Sequence, residues 1–137
     1  MVRSDHPLGK SPLTLDAYLD HRHVAASRHG RPRGPIDRLL EQRGRERIIA
    51  LFVASHAAAA MVAAGSDLVA TIPSRLAARL NSLGLSIHSR ALPLDTGLVD
   101  IALAWHPCFD ADPVHKWVRD QVAAVMTRSG SPTANRA

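Results

Sequence analysis

The sequence is poor in residues that several classes of protein require. Cys108 is the one cysteine among 137 residues, which excludes an internal disulfide and favours a cytoplasmic location. Aromatic residues make up 4% of the chain, too few for a surface that stacks nucleic-acid bases. No apolar run approaches the length of a membrane span, and the polar first residues predict no secretory signal. We therefore expect neither a membrane association nor a base-stacking platform.

Lysine is scarce although the chain is basic. Its net charge of +5 comes almost entirely from arginine, because Lys10 and Lys116 are the only lysines. Many of the arginines stand close to acidic residues in the sequence, and the densest basic cluster, residues 28–33, contains Gly30 and Pro32. Such a cluster cannot form a helix that fills a DNA groove. We therefore expect no direct DNA contact by this chain.

The most informative stretch is the segment of residues 45–78. Residues 48–53 are a continuous apolar run with β-branched members, which predicts a strand buried on both faces. Ser55 is a suitable N-cap for a helix over residues 57–64, Gly65 is a suitable stop, and residues 68–72 form a second apolar run. This βαβ pattern predicts a parallel sheet covered by helices, and such sheets bind ligands beyond the carboxyl ends of their strands.

The rest of the chain continues the alternation of strands and helices. Turn residues make the first 12 residues irregular, and a Gly/Pro loop is predicted for residues 28–34. Strands are predicted for residues 23–27, 85–92 and 98–105. Helices are predicted from a Thr14 cap to residue 19, from Pro35 to about residue 43, from a Ser74 cap to residue 82, and from the Asp112 cap and Pro113 to about residue 126. The predicted fold is α/β: a three-layer sandwich with a mostly parallel sheet, followed by a disordered tail over residues 127–137.

Three segments together resemble the effector-binding domain of LysR-type transcriptional regulators. They are DHPL at residues 5–8 with residues 13–19, GSDLVATIPSRLA at residues 65–77, and LAWHP at residues 103–107 with DADPVHKWVR at residues 110–119. The resemblance implies one lobe of a type 2 periplasmic-binding-protein fold. Residues 1–126 correspond to the second lobe with the closing strand and helix. The family's helix-turn-helix and most of its first lobe have no counterpart here, so we expect an excised piece or a truncated reading frame.

The resemblance also implies a site for a small-molecule effector, which in this family is often a small carboxylic acid. Backbone N–H groups at helix starts suit such an anion. The implied cleft wall consists of Ser27, Arg28, His29, Ala54, Ser55, His56, Thr71 and Ile72. Ser55 either caps its helix alone or caps it and also contacts the effector. His56 either donates a hydrogen bond to the effector or is an ordinary residue of the first helical turn.

Other chemistry is weakly supported by the sequence. His21, His23 and His29 form a conceivable metal cluster, but they lack the spacing of a closed zinc site. His106 and Cys108 could form a thiol nucleophile, yet Cys108 follows a proline in a predicted loop. Trp105 and Trp117 are expected in the core. We therefore predict no enzymatic activity, no cofactor and no metal.

The alternative hypothesis is a self-associating α/β module without a ligand. A missing first lobe would leave apolar surface on the strand of residues 99–105 and on the helix of residues 114–126, and such surfaces drive association. We expect a homodimer or a larger assembly. With one wall of the cleft in this chain, we expect effector affinity to be weak or undetectable.

Overall fold

The computed structural model describes residues 1–27, 34–97 and 101–128. The chain divides into two compact units, Met1–Gly97 and Leu98–Ala137. The regular elements are β1 (Val2–Arg3), α1 (Leu15–Leu19), β2 (Arg22–Ala26), α2 (Pro35–Glu41), β3 (Ile48–Val53), α3 (His56–Ala64), β4 (Val69–Ala70), α4 (Ser74–Ser82), β5 (Ile87–His88) and α5 (Pro113–Arg128). Single-turn 3-10 helices lie at Pro7–Gly9 and Pro107–Phe109.

A three-stranded parallel sheet forms the centre of the first unit. The strand order is β3-β2-β4, and β2 is parallel to both of its neighbours. Val24 pairs with Leu51 on one side and with Ala70 on the other. Because β2 lies between β3 and β4, helix α3 must cross over β2 to connect them. The predicted βαβ unit and its parallel sheet are confirmed.

Helices cover both faces of this sheet. Side chains alternate between the faces of a strand, so His23 and Val24 point in opposite directions. Helix α3 packs on the Val24 face, whereas Tyr18 of α1 packs on the His23 face beside Val69. The buried cluster on the α3 side consists of Val24, Ala59, Ala63 and Ala70. The small alanine side chains let α3 lie close to the strands, and the layered α/β arrangement agrees with the prediction.

Side chains cap the helices where the sequence predicts it. Thr14 Oγ1 accepts a hydrogen bond from the Ala17 N–H at 3.2 Å, and Ser55 Oγ accepts one from the Ala58 N–H at 3.1 Å. Asp112 Oδ1 caps α5 in the same way. Each cap satisfies an amide that would otherwise lack a partner in the first turn. The predicted starts of α1, α3 and α5 are thereby confirmed.

Strand β3 differs from the prediction of burial on both faces. Ile48 is 62% exposed, Leu51 42% and Phe52 37%. Strand β3 is an edge strand of the described sheet, and Val53 is its side chain that packs against the buried cluster on the α3 side. An apolar run identifies a strand, but it does not show whether a neighbouring element covers the strand.

The predictions for the two ends of the first unit need correction. Val2–Arg3, expected to be irregular, forms a strand that pairs antiparallel with Ile87–His88. The strand predicted for residues 85–92 is reduced to those two residues, because β1 offers two residues to pair with. Long-range pairing of this kind leaves no local signal in so short a segment.

The strand that follows α3 is also shorter than predicted. Of residues 68–72, Val69–Ala70 form β4, because β2 provides two pairing positions for it. Ser74 is the first residue of α4 and not its cap. The N-cap is Pro73, which offers no capping side chain.

Residues 101–105 of the second unit form no strand, contrary to the prediction for residues 98–105, of which residues 98–100 lie outside the described part of the chain. A strand requires a partner, and no described residue of this unit pairs with them. The tryptophans expected in the core are exposed, Trp105 by 45% and Trp117 by 63%. Trp105 lies under the Arg119 guanidinium, whose carbon is 4.5 Å from the ring centroid, which is a cation–π contact at the surface.

Helix α5 extends beyond its predicted end. It includes Thr127 and Arg128, which were assigned to the disordered tail, and Thr127 Oγ1 donates to the Ala123 carbonyl at 2.9 Å. This hydrogen bond to a carbonyl one turn earlier satisfies the threonine hydroxyl within the helix. The rest of the predicted tail, residues 129–137, and most of the predicted loop, residues 28–33, lie outside the described residues.

Candidate functional site

A cavity of about 250 Å³ lies at the carboxyl ends of the strands in the first unit. It is bounded by the end of β2, the starts of α2 and α3, one residue of β3 and the residue after β4. Its lining residues are Val24, Ala25, Ala26, Ser27, Gly34, Pro35, Ile36, Asp37, Arg47, Phe52, His56 and Thr71. Ligands of open parallel sheets are bound at this edge, because several strand ends and helix starts meet there.

The cavity brings together three of the residues predicted to bind the effector. Ser27, His56 and Thr71 follow three different strands and line the same space. Ala54, Ser55 and Ile72 do not line it, and Arg28 and His29 lie outside the described residues. Ser55 acts as the cap of α3. Effector binding by all eight residues remains a prediction.

A buried ion pair forms one wall of the cavity. Arg47 Nε donates to Asp37 Oδ1 at 2.7 Å, and Arg47 Nη2 donates to Asp37 Oδ2 at 3.2 Å, a two-point contact between planar groups. The Arg47 side chain is 5% exposed and that of Asp37 is 15% exposed. Asp37 Oδ2 also accepts the Gly34 N–H at 2.7 Å. Both charges are thus held rigidly at the start of α2.

The pKa values of this pair move apart because each charge stabilises the other. Burial alone would raise the pKa of Asp37, but the hydrogen bonds from Arg47 and from the Gly34 N–H outweigh burial and lower it. Burial alone would lower the pKa of Arg47, but the hydrogen bonds and charge interactions with Asp37 and Tyr18 together outweigh burial and raise it. Both groups are therefore ionised at neutral pH.

Tyr18 connects the ion pair to Thr71. Arg47 Nη1 donates to Tyr18 Oη at 3.0 Å, and Tyr18 Oη lies 2.8 Å from Thr71 Oγ1. The tyrosine ring is buried between α1 and the sheet, so its hydroxyl has little freedom to move. A continuous chain of hydrogen bonds therefore runs from Asp37 to Thr71, and we call these four residues the relay: Asp37, Arg47, Tyr18 and Thr71.

His23 packs against the relay as a neutral imidazole. Burial, with repulsion from the Arg47 guanidinium, lowers the pKa of His23 to about 4. His23 Nε2 lies 3.0 Å from the Tyr18 carbonyl oxygen, so this nitrogen carries the hydrogen. His23 Nδ1 is buried and has no hydrogen-bond partner among the described residues. The ring centroid lies 4.4 Å from that of Tyr18, which helps to hold the tyrosine in place.

Sequence reasoning missed three members of the relay. Arg47 stands in the charged stretch that precedes β3, where a surface position is the ordinary expectation. Asp37 is the third residue of a helix that begins with a proline, a position from which a carboxylate reaches back to the N-cap amide. Tyr18 stands among apolar residues of its helix, which indicates a buried ring but gives no sign of a role for its hydroxyl. The position of Asp37 at the start of its helix is the one local signal in the sequence that could have indicated a member of the relay.

The alternative sites have a simpler structural account. Among the described residues, no group of three His, Cys, Asp or Glu side chains could hold a metal ion. The His21 ring lies 4.9 Å from that of His6, whereas His23 faces Tyr18. Cys108 is exposed, and His106 Nδ1 accepts the Cys108 N–H at 3.2 Å, so this ring nitrogen is occupied by backbone. No helix in the described part of the chain could span a membrane.

Comparisons with known proteins identify the family. The LysR substrate binding domain family model matches residues 1–127. The HTH-type transcriptional activator NagR of Ralstonia sp is 36% identical over 124 residues, covering 87% of this chain and 39% of NagR. The HTH-type transcriptional regulator SyrM of Rhizobium meliloti is 32% identical, covering 95% of this chain and 40% of SyrM. This chain thus spans about two fifths of the length of these relatives.

Solved structures agree with the sequence comparison. The regulatory domain of MexT, a transcriptional activator in Pseudomonas aeruginosa, superposes with a TM-score of 0.69 at 29% identity. The match covers 89% of this chain and 60% of that chain. The fold is therefore that of the type 2 periplasmic-binding-protein-like domains of transcriptional regulators. On these grounds the chain belongs to the LysR substrate-binding domain family.

Proposed function

We propose that this chain is the effector-sensing part of a LysR-type transcriptional regulator and that the cavity is its contribution to the effector site. The observation that carries the proposal is the convergence of Ser27, His56 and Thr71 on one cavity. These residues lie far apart in the sequence, and each stands at the end of a strand or the start of a helix. Polar groups that converge in a concave site are typical of small-molecule binding.

The chemistry of the cavity favours a small carboxylate. Ser55 Oγ accepts from the Ala58 N–H, which leaves the first-turn amides of α3 at His56 and Ala57 for an anion. The partial positive charge at the helix start adds to this preference. A volume of about 250 Å³ lies below the ~300–1,000 Å³ typical of sites for larger ligands, so a small acid is the fitting class.

In the whole regulator, effector binding would act by shifting the protein between two arrangements. A ligand shifts such an equilibrium only by binding one arrangement more tightly than the other. We propose that the regulator is a cytoplasmic homo-oligomer and that this part of it does not itself contact DNA. The few aromatic residues of the chain, and Gly30 and Pro32 within its densest basic cluster, support that division of labour.

Titration of the isotopically labelled chain with benzoate, followed by NMR, tests the proposal. We expect chemical-shift changes at Ser27, His56 and Thr71, with a dissociation constant in the millimolar range. His56→Ala should weaken this binding, whereas the control Arg75→Ala, on the exposed part of α4, should not. Shift changes that map elsewhere, or none with any small carboxylate, would refute the site, and micromolar affinity would contradict the expected weak binding.

Self-association is the second candidate function, because exposed apolar side chains support it. On α5, Val114 is 72% exposed and Trp117 63% exposed, and on the edge strand β3 Ile48 is 62% exposed. Exposed apolar groups and unpaired strand edges favour association between copies. Light scattering at rising concentration measures the mass, and a monomer at the highest concentration would count against this function.

A further inference from the structure

The relay suggests how the cavity distinguishes one ligand from another, if the cavity is the effector site proposed above. We propose that Arg47 and Tyr18 are positioning residues that turn the Thr71 hydroxyl into a hydrogen-bond donor toward the cavity. The cavity would then select a ligand that presents an acceptor, such as a carboxylate oxygen, at Thr71. A ligand that presents a donor there would be disfavoured.

The direction of the relay is set at the ion pair. A guanidinium group has N–H donors and no acceptor, so every hydrogen bond of Arg47 must run outward from it. Two of these bonds end on Asp37, which fixes the plane of the guanidinium. The third runs from Arg47 Nη1 to Tyr18 Oη at 3.0 Å. The Tyr18 oxygen is therefore an acceptor in this bond.

The bond from Arg47 also determines whether the Tyr18 hydroxyl donates or accepts in its second hydrogen bond. An oxygen that accepts from a cation becomes a stronger donor, because hydrogen bonds in a chain polarise one another. The Tyr18 hydroxyl keeps its own hydrogen, and Thr71 Oγ1 lies 2.8 Å away. The proposed direction of this bond is therefore from the Tyr18 hydroxyl to Thr71 Oγ1, which accepts.

The Thr71 hydroxyl then has its own hydrogen available to donate. Among the described residues, Tyr18 is the only side chain that forms a hydrogen bond with Thr71 Oγ1. Because Thr71 lines the cavity, this remaining hydrogen can be directed to a ligand. Arg47 is 5% exposed and its described hydrogen bonds are made to Asp37 and Tyr18, so its part in the relay is to orient the Tyr18 hydroxyl and, through it, Thr71.

Two probes of similar size and opposite hydrogen-bonding character test the proposal. Benzoate presents acceptors and benzylamine presents donors, and NMR titration of the full chain gives the affinity for each. The measured quantity is the ratio of the two affinities. In Tyr18→Phe the ring is kept and the relay is cut, so the ratio should fall by about five- to tenfold, the effect of one hydrogen bond. Thr71→Val should lower the ratio similarly, and Thr71→Ser should preserve it.

Thr96→Val is the matched control, because Thr96 is exposed and does not line the cavity. A ratio that stays unchanged in Tyr18→Phe, while benzoate still shifts the cavity resonances, would overturn the relay but leave the effector site intact. If neither probe shifts any cavity resonance, the effector site itself is refuted and the inference with it. Should Tyr18→Phe fail to fold, the comparison of Thr71→Val with Thr71→Ser decides, since a merely structural role would not separate the two ratios.

Discussion

Removing one partner of the buried ion pair should destabilise the first unit strongly. In Asp37→Ala, the Arg47 guanidinium remains at 5% exposure without its counter-charge. Breaking a buried pair in this way costs about 3–5 kcal/mol, against the ~5–15 kcal/mol that stabilises a typical domain. For a unit of this size, the melting temperature should fall by at least ~12 °C. The loss is large because the remaining charge is buried, not because the ion pair itself is strong.

The double variant Asp37→Ala/Arg47→Met separates these two explanations. Both variants lose the capping bond to the Gly34 N–H, so this contribution cancels when they are compared. The double variant removes the orphaned charge and replaces it with an unbranched apolar side chain. It should therefore be more stable than Asp37→Ala by about 1–3 kcal/mol.

Urea denaturation followed by circular dichroism gives the free energy of unfolding of each variant. Arg45→Ala is the surface control, because the side chains of the Arg45–Asp16 pair are 43% and 74% exposed. It should cost less than ~1 kcal/mol. The reasoning is refuted if Asp37→Ala costs no more than Arg45→Ala, or if the double variant is less stable than Asp37→Ala.

Three further effects on stability should be measurable by the same denaturation experiment. Because the pKa of His23 is about 4 in the folded chain against 6.5 in the unfolded chain, the free energy of unfolding is at its full value above pH 6.5 and should fall by up to ~3 kcal/mol toward pH 4. His23→Leu should flatten this pH dependence, and an equal slope in the variant and the parent chain would contradict the role of His23. Ser55→Ala should cost about 1 kcal/mol because the α3 cap is lost, whereas Ser55→Asp should retain most of the stability. Equal losses in the two variants would rule out the cap as the cause. Gly44→Ala should cost about 1–2 kcal/mol because Gly44 has a φ of +65°, whereas Gly65→Ala, at a φ of −108°, should not lower the stability in this way. An equal loss of stability in the two variants would refute the argument from backbone conformation.

The helix starts and the central βαβ unit could be predicted because their signals are local. Thr14, Ser55 and Asp112 each lie within three residues of the amides that they cap. A capping side chain and its helix are read from a single short window, and an apolar run with β-branched residues identifies a strand in the same way. The alternation of such elements then implies a parallel sheet.

Strand lengths and burial depend on partners that the local sequence does not specify. Strand β5 is two residues long because β1, more than 80 positions earlier in the chain, offers two residues to pair with. Residues 101–105 have the composition of a strand, but the described part of their unit contains nothing that pairs with them. Composition determines what a segment can become, and the neighbouring element determines whether it does.

The candidate site likewise contains some residues that the local sequence indicates and others that it does not. Ser27, His56 and Thr71 could be placed at the site because each adjoins a strand end, and strand ends are local features. The relay could not, because its bonds join residues 53 positions apart between Tyr18 and Thr71 and 29 apart between Arg47 and Tyr18. A tyrosine on an apolar helix face and an arginine in a charged loop look ordinary when each is considered alone. Their contact arises only when the fold brings α1, the start of α2 and the residue after β4 to the same edge of the sheet, so the specificity that we propose would depend on the topology as well as on the residues that line the cavity.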